Sequence, residues 1–433
     1  MAILGKERSE DLEVIHEGIS GLLALYECDP DSRGILSFMK AFTSYTEKIC
    51  RLLDGDQPVV WHNTGVSPEL ILGLENADDL PIESYPILQD IAGDPDRTCE
   101  YIDLAEAHGI PAEVCSVDKS TIGSVLKGLL PKPACLFSVS SPCDSQLVAM
   151  PALGEITGTP VYMVDIPYLY GKREIQYVAR QFKDAIPFLE KHTGRKWRPE
   201  LFRAACEKSN RMSEHILEWN ELRKHVPCPQ VSKVVNLMVP LFIAFAGTET
   251  GVFVAEQLAL EARERIQKGE WAVPGGEKIR SVWYQNPMWF DLQFYDWLES
   301  EFQMVVTMDV FGYHAPEGLM DLTSVDSMLE GLATRIVTMA PMTRQFKGPI
   351  DIYLNDFVHL FNAYKADMAV YAGHVGCKQG WGGIGFLKEK AKELGIPLLT
   401  FEFDFLDRRV TPIETIQEEF RRFIDNVMIP RLG

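Results

Sequence analysis

The sequence has few basic residues for its length. Its 433 residues include 42 Lys and Arg against 62 Asp and Glu, which gives a formal net charge of −20. Proteins that bind a nucleic-acid backbone use an excess of positive charge to contact the phosphates. An anionic membrane surface attracts basic segments for the same reason. The charge balance therefore argues against nucleic acid and against an anionic membrane as partners.

Long apolar runs are also missing. The longest one, residues 234–247 (VVNLMVPLFIAFAG), contains Asn236 and Pro240, and it is shorter than the roughly 20 apolar residues that a spanning helix needs. The N-terminal stretch MAILGKERSEDLEVIHEG lacks the apolar segment of a signal peptide and is typical of an amphipathic helix. We therefore expect a cytoplasmic protein in a reducing compartment, with no membrane partner.

Cysteine is sparse. The nine cysteines in 433 residues are too few for a disulfide scaffold, and their number is odd. In a reducing compartment an unpaired cysteine is either a small core residue or a metal ligand or nucleophile. The functional question is which of the nine belong to the second class.

The chain is too long for one ordinary core, so we expect two or three domains. From about residue 57 onward, short apolar runs alternate with helical stretches, a pattern typical of parallel sheets covered on both faces. The predicted fold class is α/β, with two domains that each contain a small parallel sheet flanked by helices, plus an N-terminal helical segment. The predicted boundaries are 1–55 for the N-terminal helices, 56–228 for the first α/β domain and 229–433 for the second.

The individual elements are predicted from the same periodicity. Two long helices are expected around residues 174–192 and 199–225. Thr411 and Glu414 predict a capping box at the start of the last helix. The predicted strands are 58–62, 111–115, 134–140, 161–166, 282–285, 304–310, 350–354, 368–372 and 398–403.

Three cysteines occupy the positions where functional groups gather in open α/β sheets, just after a predicted strand and just before a predicted helix. They are Cys115, Cys143 and Cys377. A helix N-terminus offers free N–H groups and a positive dipole end, and both stabilise thiolates. Three soft thiolates suit an iron–sulfur cluster, and three ligands on a four-iron cube leave one iron open, as in catalytic metal sites. Zinc is the rival metal, although no C-x-x-C pair is present and the H-x-x-C spacing of His374 and Cys377 is a weak signal.

Several segments that together span most of the chain resemble one family. They are VSPELILGLENADDLPIE (66–83), Cys115-Ser116, Cys143-Asp144, PVYMVDIPY (160–168), EKIRSVWYQNPMW (277–289), HVGCKQ (374–379) and LGIPLLTFEFDFLDRR (394–409). In these segments the sequence is similar to the iron–sulfur 2-hydroxyacyl-CoA dehydratases, a superfamily shared with ATP-dependent benzoyl-CoA reductase.

This resemblance implies a [4Fe-4S] cluster in an interdomain cleft, held by Cys115, Cys143 and Cys377. It implies a separate ATP-dependent activator ATPase, with its own iron–sulfur cluster, that delivers low-potential electrons one at a time. It also implies a CoA thioester substrate and a dimer with a paralogous subunit or a second copy. In the dehydratases the electron makes a ketyl radical at the thioester carbonyl and the 2-hydroxyl leaves at the open iron. In the reductases, paired clusters reduce an aromatic ring.

A further branch of the superfamily holds a double-cubane [8Fe-9S] cluster, which needs about twice the thiolates. Cys135 lies in a predicted strand and Cys206 in a predicted long helix, so both are expected in the core. Cys28, Cys50 and Cys99 are the candidates for extra ligands.

The acid–base residues stay unknown at this point. The candidates are His374 and Glu69. His62, His314 and Glu83 also follow predicted strands or lie near the predicted cleft, and a satisfied structural role is the alternative for each.

A glycine pattern imitates a dinucleotide fingerprint. Gly380, Gly382 and Gly385 form G-x-G-x-x-G after a predicted strand. Bulky residues crowd this turn and Cys377 stands at its start, so the glycines are better explained as allowing backbone N–H groups to approach cluster sulfides. An NAD-dependent oxidoreductase is therefore the last of the hypotheses.

Three hypotheses rank above it. The first is an iron–sulfur enzyme subunit, a lyase of the 2-hydroxyacyl-CoA dehydratase type or a reductase of the benzoyl-CoA type. The second is a double-cubane reductase that acts on small molecules without CoA. The third is a non-catalytic electron-relay subunit. The iron content per chain and the binding of CoA thioesters separate these hypotheses.

Overall fold

The computed structural model describes residues 2–27, 32–66, 68–289, 291–314, 319–339 and 350–432. Within these ranges, two four-stranded sheets have the strand orders β2-β1-β3-β4 and β6-β5-β7-β8, and neighbouring strands pair in parallel. The strands are β1 (Val59–His62), β2 (Asp78–Pro81), β3 (Cys135–Val139), β4 (Val161–Val164), β5 (Ile279–Gln285), β6 (Met304–Asp309), β7 (Met368–His374) and β8 (Leu398–Phe403). The predicted α/β class is confirmed.

Helices precede, connect and follow these strands. None of the helices in the described part of the chain is long and apolar enough to cross a membrane. The described residues also include a 3₁₀ helix at Ser232–Leu237 and π-helical turns at Arg335–Met339 and Ile424–Met428. The α-helices are α1 (Ala2–Glu27), α2 (Arg33–Asp54), α3 (Glu69–Leu72), α4 (Ser84–Ala92), α5 (Pro95–Ala107), α6 (Ser116–Leu126), α7 (Asp144–Thr157), α8 (Lys172–Thr193), α9 (Pro199–Leu222), α10 (Met238–Phe245), α11 (Glu249–Lys268), α12 (Gln293–Phe302), α13 (Val325–Thr334), α14 (Ile350–Ala363), α15 (Lys378–Leu394), α16 (Ile413–Phe423) and α17 (Ile429–Leu432).

The strand predicted at residues 111–115 is wrong. This segment is a turn, closed by a hydrogen bond from Val114 N–H to Pro111 O at 3.0 Å, and it pairs with no strand of the first sheet. Val114 and Cys115 are buried, so their apolar character reflects burial in the core without a sheet. Short apolar runs carry this ambiguity because burial alone does not specify a strand.

The strand predicted at residues 350–354 is also wrong, because the segment is the first part of α14. The alternation of Ile350, Ile352 and Leu354 fits a strand, but the residues that the structure buries include Tyr353, Phe357 and Leu360. Their spacing of three and four residues places them on one face of a helix. This period becomes visible only beyond residue 354, where the predicted strand ended.

The sequence prediction missed β2. This strand reads Asp-Asp-Leu-Pro and lies at the edge of the first sheet. Pro81 has no backbone N–H to donate, and an edge strand tolerates such a residue because only one of its sides pairs with another strand. Asp79 is buried and accepts from Lys48 Nζ at 2.7 Å. An acidic edge strand held by an ion pair carries little of the apolar signal that strand prediction needs.

The predicted capping box at the last helix does not form. Pro412, not Thr411, is the N-cap of α16, and no side chain caps the helix there. Thr415 N–H instead bonds to the Pro412 carbonyl at 3.1 Å. A backbone turn thus replaces the side-chain cap.

The two faces of the first sheet pack against different elements. Val59, Trp61 and Leu136 join a core that also contains the N-terminal helices and the second sheet. The intervening Val60 and Phe137 belong to a second core, which α8, α9 and α13 complete. Both faces of the sheet are therefore buried, and its carboxyl edge remains as the place for a functional site.

Helices from distant parts of the chain join the two halves. α2 lies on α11, where Arg33 forms a two-pronged ion pair with Glu264 at 3.0 and 3.1 Å. Gly34 N–H donates to the Glu261 carboxylate of the same helix at 2.6 Å. α13, from the second half, packs on α8 beside the first sheet. Contacts thus cross the predicted boundaries at residues 55 and 228, and the division into domains stays a prediction.

The close approach of α5 and α6 yields a prediction on stability. A Cβ atom at Gly123 in α6 would overlap the backbone carbonyl of Tyr101 in α5. We expect Gly123→Ala to lower the free energy of unfolding by about 1–3 kcal/mol, because backbone atoms cannot move aside as a flexible side chain can. Chemical denaturation of the variant and the native chain measures the difference.

Gly385→Ala is the matched control. Gly385 is exposed in α15, and a Cβ atom there would meet no atom within 4 Å. We expect this substitution to leave stability unchanged or to raise it by up to about 1 kcal/mol, through helix propensity. An equal loss in both variants would contradict the role of the α5–α6 contact.

Candidate functional site

Each of the three selected cysteines is the N-cap of a helix. Cys115 caps α6, Cys143 caps α7 and Cys377 caps α15. Cys143 and Cys377 follow β3 and β7, as expected, whereas Cys115 follows the turn at 111–114. The expectation that the three thiols lie at helix starts is confirmed, although the strand before Cys115 is absent.

All three cysteines line one cavity. It contains about 800 Å³ of space free of protein atoms, part of which is open to solvent. The wall also includes residues at or just after the ends of five strands: Asn63 (β1), Glu83 (β2), Asn286 (β5), His374 (β7) and Phe405 (β8). The carboxyl ends of both sheets thus meet at one cavity, the usual ligand position in open α/β sheets.

The electrostatics of the thiols depend on burial. Burial raises the pKa of Cys115 and Cys143 well above the ordinary thiol value and raises the pKa of Cys377 to about 11. Backbone N–H groups in the first helical turn oppose this rise: Val117 acts on Cys115, and Gly380 acts on Cys377. A bound metal deprotonates a coordinating thiol outright, so these sulfurs become anionic ligands only when positive charge is present.

The donor set fits a cluster better than a single ion. Within the described part of the chain, no three His, Cys, Asp or Glu side chains are grouped closely enough to hold one metal ion. Three thiols instead surround a shared cavity. Four iron atoms and their sulfides occupy more space than one ion, and thiolates are the usual ligands of such clusters.

Hydrogen bonds join the first turns of the three helices. Cys115 N–H donates to Ser145 Oγ at 3.1 Å, which ties α6 to α7. The side chain of Gln379 reaches from α15 to Asp144 at the start of α7. With its amide oriented so that both groups are satisfied, it donates to Oδ1 at 2.8 Å and accepts from the Asp144 N–H at 2.7 Å. The positions of the cysteines are therefore linked across the two sheets.

His374 lies against Cys115. Its Nε2 is 3.2 Å from Cys115 Sγ, and its Nδ1 is 3.5 Å from Asp404 Oδ2. This Cys–His–Asp order resembles a nucleophilic triad, but burial lowers the pKa of His374 and raises that of Cys115. A triad nucleophile needs a thiol with a lowered pKa. The arrangement is therefore better suited to orienting a metal ligand.

Two buried carboxyl groups share one amide beside the thiols. Gln146 Nε2 lies 3.0 Å from Glu83 Oε1 and 2.5 Å from Asp118 Oδ1. Burial raises the pKa of each carboxyl to about 7, and the charge of Asp118 adds to the rise at Glu83. The cavity thus contains groups that can hold or release a proton near neutral pH.

Unused hydrogen-bonding atoms surround the same space. Trp289 Nε1, Asn286 Nδ2 and Glu83 Oε2 are buried and have no partner among the described residues. A buried donor without an acceptor costs free energy, so such groups are typical of ligand sites. Two donors and a carboxyl oxygen are therefore available to a polar ligand.

The other histidines and Glu69 have structural roles. His62 Nε2 is 3.4 Å from Asp79 Oδ2, and His314 stacks on Phe242 with ring centres 4.9 Å apart. Burial lowers the pKa of His314 to about 3. Glu69 is buried, pairs with Arg335 and accepts from Ser209 Oγ at 2.6 Å. Among the described residues, these three do not line the thiol cavity.

The other cysteines that the structure describes lie away from the cavity. Cys50 is exposed in α2, and the Cys99 thiol in α5 donates to Asp407 Oδ1 at 3.8 Å. Neither is among the described residues that line the cavity. Cys28 lies outside the described residues. Cys135 and Cys206 are buried in β3 and α9 as expected.

The glycine pattern does not form a nucleotide-binding turn. Gly380, Gly382 and Gly385 all lie inside α15, whereas a dinucleotide fingerprint places its first glycines in the turn before the helix. A Cβ atom at Gly380 would come within 2.7 Å of the Gln285 amide. The lack of a side chain at Gly380 therefore allows the Gln285 side chain to lie close to the first turn of α15, next to Cys377.

Sequence reasoning missed several lining residues, although signals for them exist. Asn63 and Asn286 directly follow β1 and β5, so the strand-end rule applied to the cysteines also applies to them. Asp118 and Gln146 each stand three positions after a capping cysteine, in the first turn of α6 and α7. Only the contact between these two helices could have revealed that they meet.

Comparison with known proteins identifies a family for this chain. Residues 86–426 match the family model described as 2-hydroxyglutaryl-CoA dehydratase, D-component. The chain is 26% identical over 330 residues to the (R)-phenyllactyl-CoA dehydratase alpha subunit of Clostridium sporogenes, covering 73% of this chain and 77% of that protein.

Two further relatives match shorter parts. The (R)-2-hydroxyglutaryl-CoA dehydratase subunit alpha of Acidaminococcus fermentans is 22% identical over 165 residues, 37% of this chain and 34% of that protein. The lactoyl-CoA dehydratase subunit alpha of Anaerotignum propionicum is 22% identical over 216 residues, 44% of this chain and 50% of that protein.

The raised pKa of Glu83 gives a prediction on pH dependence. The folded chain holds the Glu83 proton up to about pH 7, whereas the unfolded chain releases it near pH 4.3. Stability therefore falls as pH rises between these values and is not regained above them. Glu83→Gln has no proton to release, so it lacks this pH-dependent loss of stability. We therefore expect its free energy of unfolding to rise relative to that of the native chain by on the order of 3 kcal/mol between pH 4.5 and 7.5.

Chemical denaturation of the metal-free protein across this pH range measures the effect. Glu402→Gln, at an exposed position on β8, is the control and should leave the pH profile unchanged. Parallel profiles for Glu83→Gln and the native chain would show that burial does not perturb this carboxyl group.

Proposed function

The chain belongs to the 2-hydroxyglutaryl-CoA dehydratase D-component family, and from this premise we propose that it is an iron–sulfur subunit that removes water from a 2-hydroxyacyl-CoA thioester. The observation that carries the proposal is the placement of Cys115, Cys143 and Cys377. All three cap helices, and all three line one cavity at the carboxyl ends of two parallel sheets.

These three thiols are the proposed ligands of a [4Fe-4S] cluster. When bound, such a cluster supplies low-potential electron transfer and, with three protein ligands, one iron open to a substrate oxygen. We propose that an activator ATPase with its own cluster provides one electron. Because loss of water is redox-neutral overall, this electron is recovered when the double bond has formed and is not consumed. We also propose that a paralogous subunit or a second copy completes the assembly. The N–H groups of the first helical turns stabilise the thiolate charge.

The remaining wall positions the substrate. Trp289 Nε1 and Asn286 Nδ2 are buried donors without a partner among the described residues, and we assign them to the thioester carbonyl oxygen. Donors fixed in this way stabilise negative charge on the oxygen without reorganisation. Apolar neighbours such as Ile87, Val239 and Phe311 exclude water from the same space.

Glu83 is the proposed proton-transfer residue. The reaction removes the hydroxyl group from C2 and a proton from C3, so that one water leaves per double bond formed. A carboxyl group with a pKa of about 7 exchanges a proton readily at neutral pH. Asp118 shares Gln146 with Glu83, which gives the proton a second position on the same network.

The geometry favours this proposal over the alternatives from the sequence. A double-cubane cluster needs more thiolates, but Cys50 and Cys99 are absent from the described cavity wall. An electron-relay subunit needs no substrate donors, whereas Trp289 and Asn286 present unused N–H groups beside the thiols.

Iron and sulfide analysis tests the cluster. After anaerobic purification we expect about four iron atoms and about four sulfides per chain. Cys115→Ala, Cys143→Ala and Cys377→Ala should each lose most of this iron, because each variant lacks one of the three proposed thiolate ligands. Dehydration of a 2-hydroxyacyl-CoA with activator and ATP should fall with the iron content.

Cys206→Ala is the control, since this buried thiol lies in α9, away from the cavity. It should keep its iron. Full iron in any of the three cavity variants would contradict the proposed ligand set, and about eight iron atoms per chain would favour the double-cubane alternative.

A further inference from the structure

A second cavity adjoins the first. It also contains about 800 Å³ of space free of protein atoms and partly open to solvent. Its walls come from α1, α2, α4, the 3₁₀ helix at Ser232–Leu237, α10 and the loop before α12, and they are almost entirely apolar. The lining residues from these helices include Leu22, Phe38, Phe42, Ile91, Leu237 and Ala244.

The two cavities share part of their walls. The shared residues are Glu83, Ile87, Ile243 and Trp289. The proposed carbonyl donor Trp289 and the proposed proton-transfer residue Glu83 therefore stand at the junction. A thioester held beside these two residues has the second cavity directly next to its reacting carbons.

The second cavity offers no positive charge. None of the described residues that line it is Lys, Arg or His. Its polar members are Glu83, Ser84 and Asn236, and Ser84 Oγ already donates to the Pro81 carbonyl at 2.6 Å. A carboxylate placed here would lose its hydration without gaining a cationic partner, which is strongly unfavourable.

From these observations we propose that the second cavity holds the acyl side chain of the substrate, and that it selects large apolar side chains, branched or aromatic, over carboxylate-bearing and short ones. This inference rests on the proposed function. Phe38, Phe42 and Trp289 provide ring faces and edges for such a group. Burial of apolar surface contributes about 25 cal/mol per Å², so a side chain that fills this space binds more tightly than a methyl group.

Equilibrium binding of three thioesters to the full, anaerobically purified chain tests the selectivity. The probes are a 2-hydroxyacyl-CoA with a phenyl side chain, 2-hydroxyglutaryl-CoA and lactoyl-CoA. We expect the phenyl-bearing thioester to bind at least about tenfold more tightly than either of the others. Equal affinity, or tighter binding of the dicarboxylic thioester, would overturn the inference.

Two substitutions of alanine by phenylalanine test where the side chain of the thioester binds. Ala244→Phe fills the second cavity, and it should weaken binding of the phenyl-bearing thioester at least about tenfold while the affinity for lactoyl-CoA changes little. Ala107→Phe adds the same ring at an exposed position in α5 and should change neither affinity. Equal loss of both thioesters in Ala244→Phe would contradict a separate acyl site.

The result is distinguishable from failure of the proposed function. If no CoA thioester binds, or if iron is absent from the native chain, the proposed function fails. If thioesters bind and iron is present but the order of affinities differs from the one above, only the assignment of the second cavity fails.

An independent observation concerns His374. Its Nε2 lies 3.2 Å from Cys115 Sγ, while Phe405 N–H donates to its Nδ1 at 3.3 Å. A thiolate ligand has no proton to give, so Nε2 must be the donor when Cys115 holds a cluster. We infer that His374 is a positioning residue that orients the Cys115 thiolate and, by this N–H···S bond, stabilises the reduced cluster.

Two substitutions test this role through the cluster potential. His374→Leu removes the donor, and we expect a more negative midpoint potential in an EPR-monitored redox titration. His374→Gln keeps an N–H near the same position and should return the potential toward the native value. Unchanged potential in His374→Leu, or equal loss of iron from both variants, would overturn the inference.

Discussion

Three helix N-termini point at one cavity, and the rest of the site depends on this concentration of positive dipole ends. Such ends repel one another unless negative charge lies between them. Two kinds of group among the described residues can provide it: the acidic side chain of Asp144 in the first turn of α7, and the thiols, which become anionic on binding metal. Hydrogen bonds between the helix starts keep this arrangement together across two sheets.

The two adjoining cavities differ sharply in polarity. Polar and ionisable groups are collected in the thiol cavity, whereas the neighbouring cavity is apolar. Glu83 belongs to both walls, so a proton can be held where the two meet. The net charge of −20 describes the whole chain. It does not predict the protonation of the groups where the two cavities meet, because local burial decides whether each group carries a proton.

Much of the fold followed from sequence periodicity, since buried parallel strands such as β3 and β7 are short apolar runs that precede helices. The ambiguity of such runs explains the errors at 111–115 and 350–354. One rule, about cysteines between a strand end and a helix start, selected Cys115, Cys143 and Cys377. At Cys115 only half of its premise holds, because α6 follows this residue but no strand precedes it. The Glu83–Gln146–Asp118 network was beyond reach, because its three side chains come from different elements and meet only by tertiary packing.

Residues that line the apolar cavity come from two parts of the chain, one before and one within the segment that matches the family. α1 and α2 contribute Ile19, Leu22, Phe38 and other side chains, and both helices precede residue 86, where the family match begins. The three thiols all lie within the matched part. Substitutions in the first two helices can therefore reshape the apolar cavity while the three thiols and the hydrogen bonds between their helices stay unchanged. The apolar cavity is thus built from both the segment before the family match and the segment within it, whereas the three thiols come from the matched segment alone.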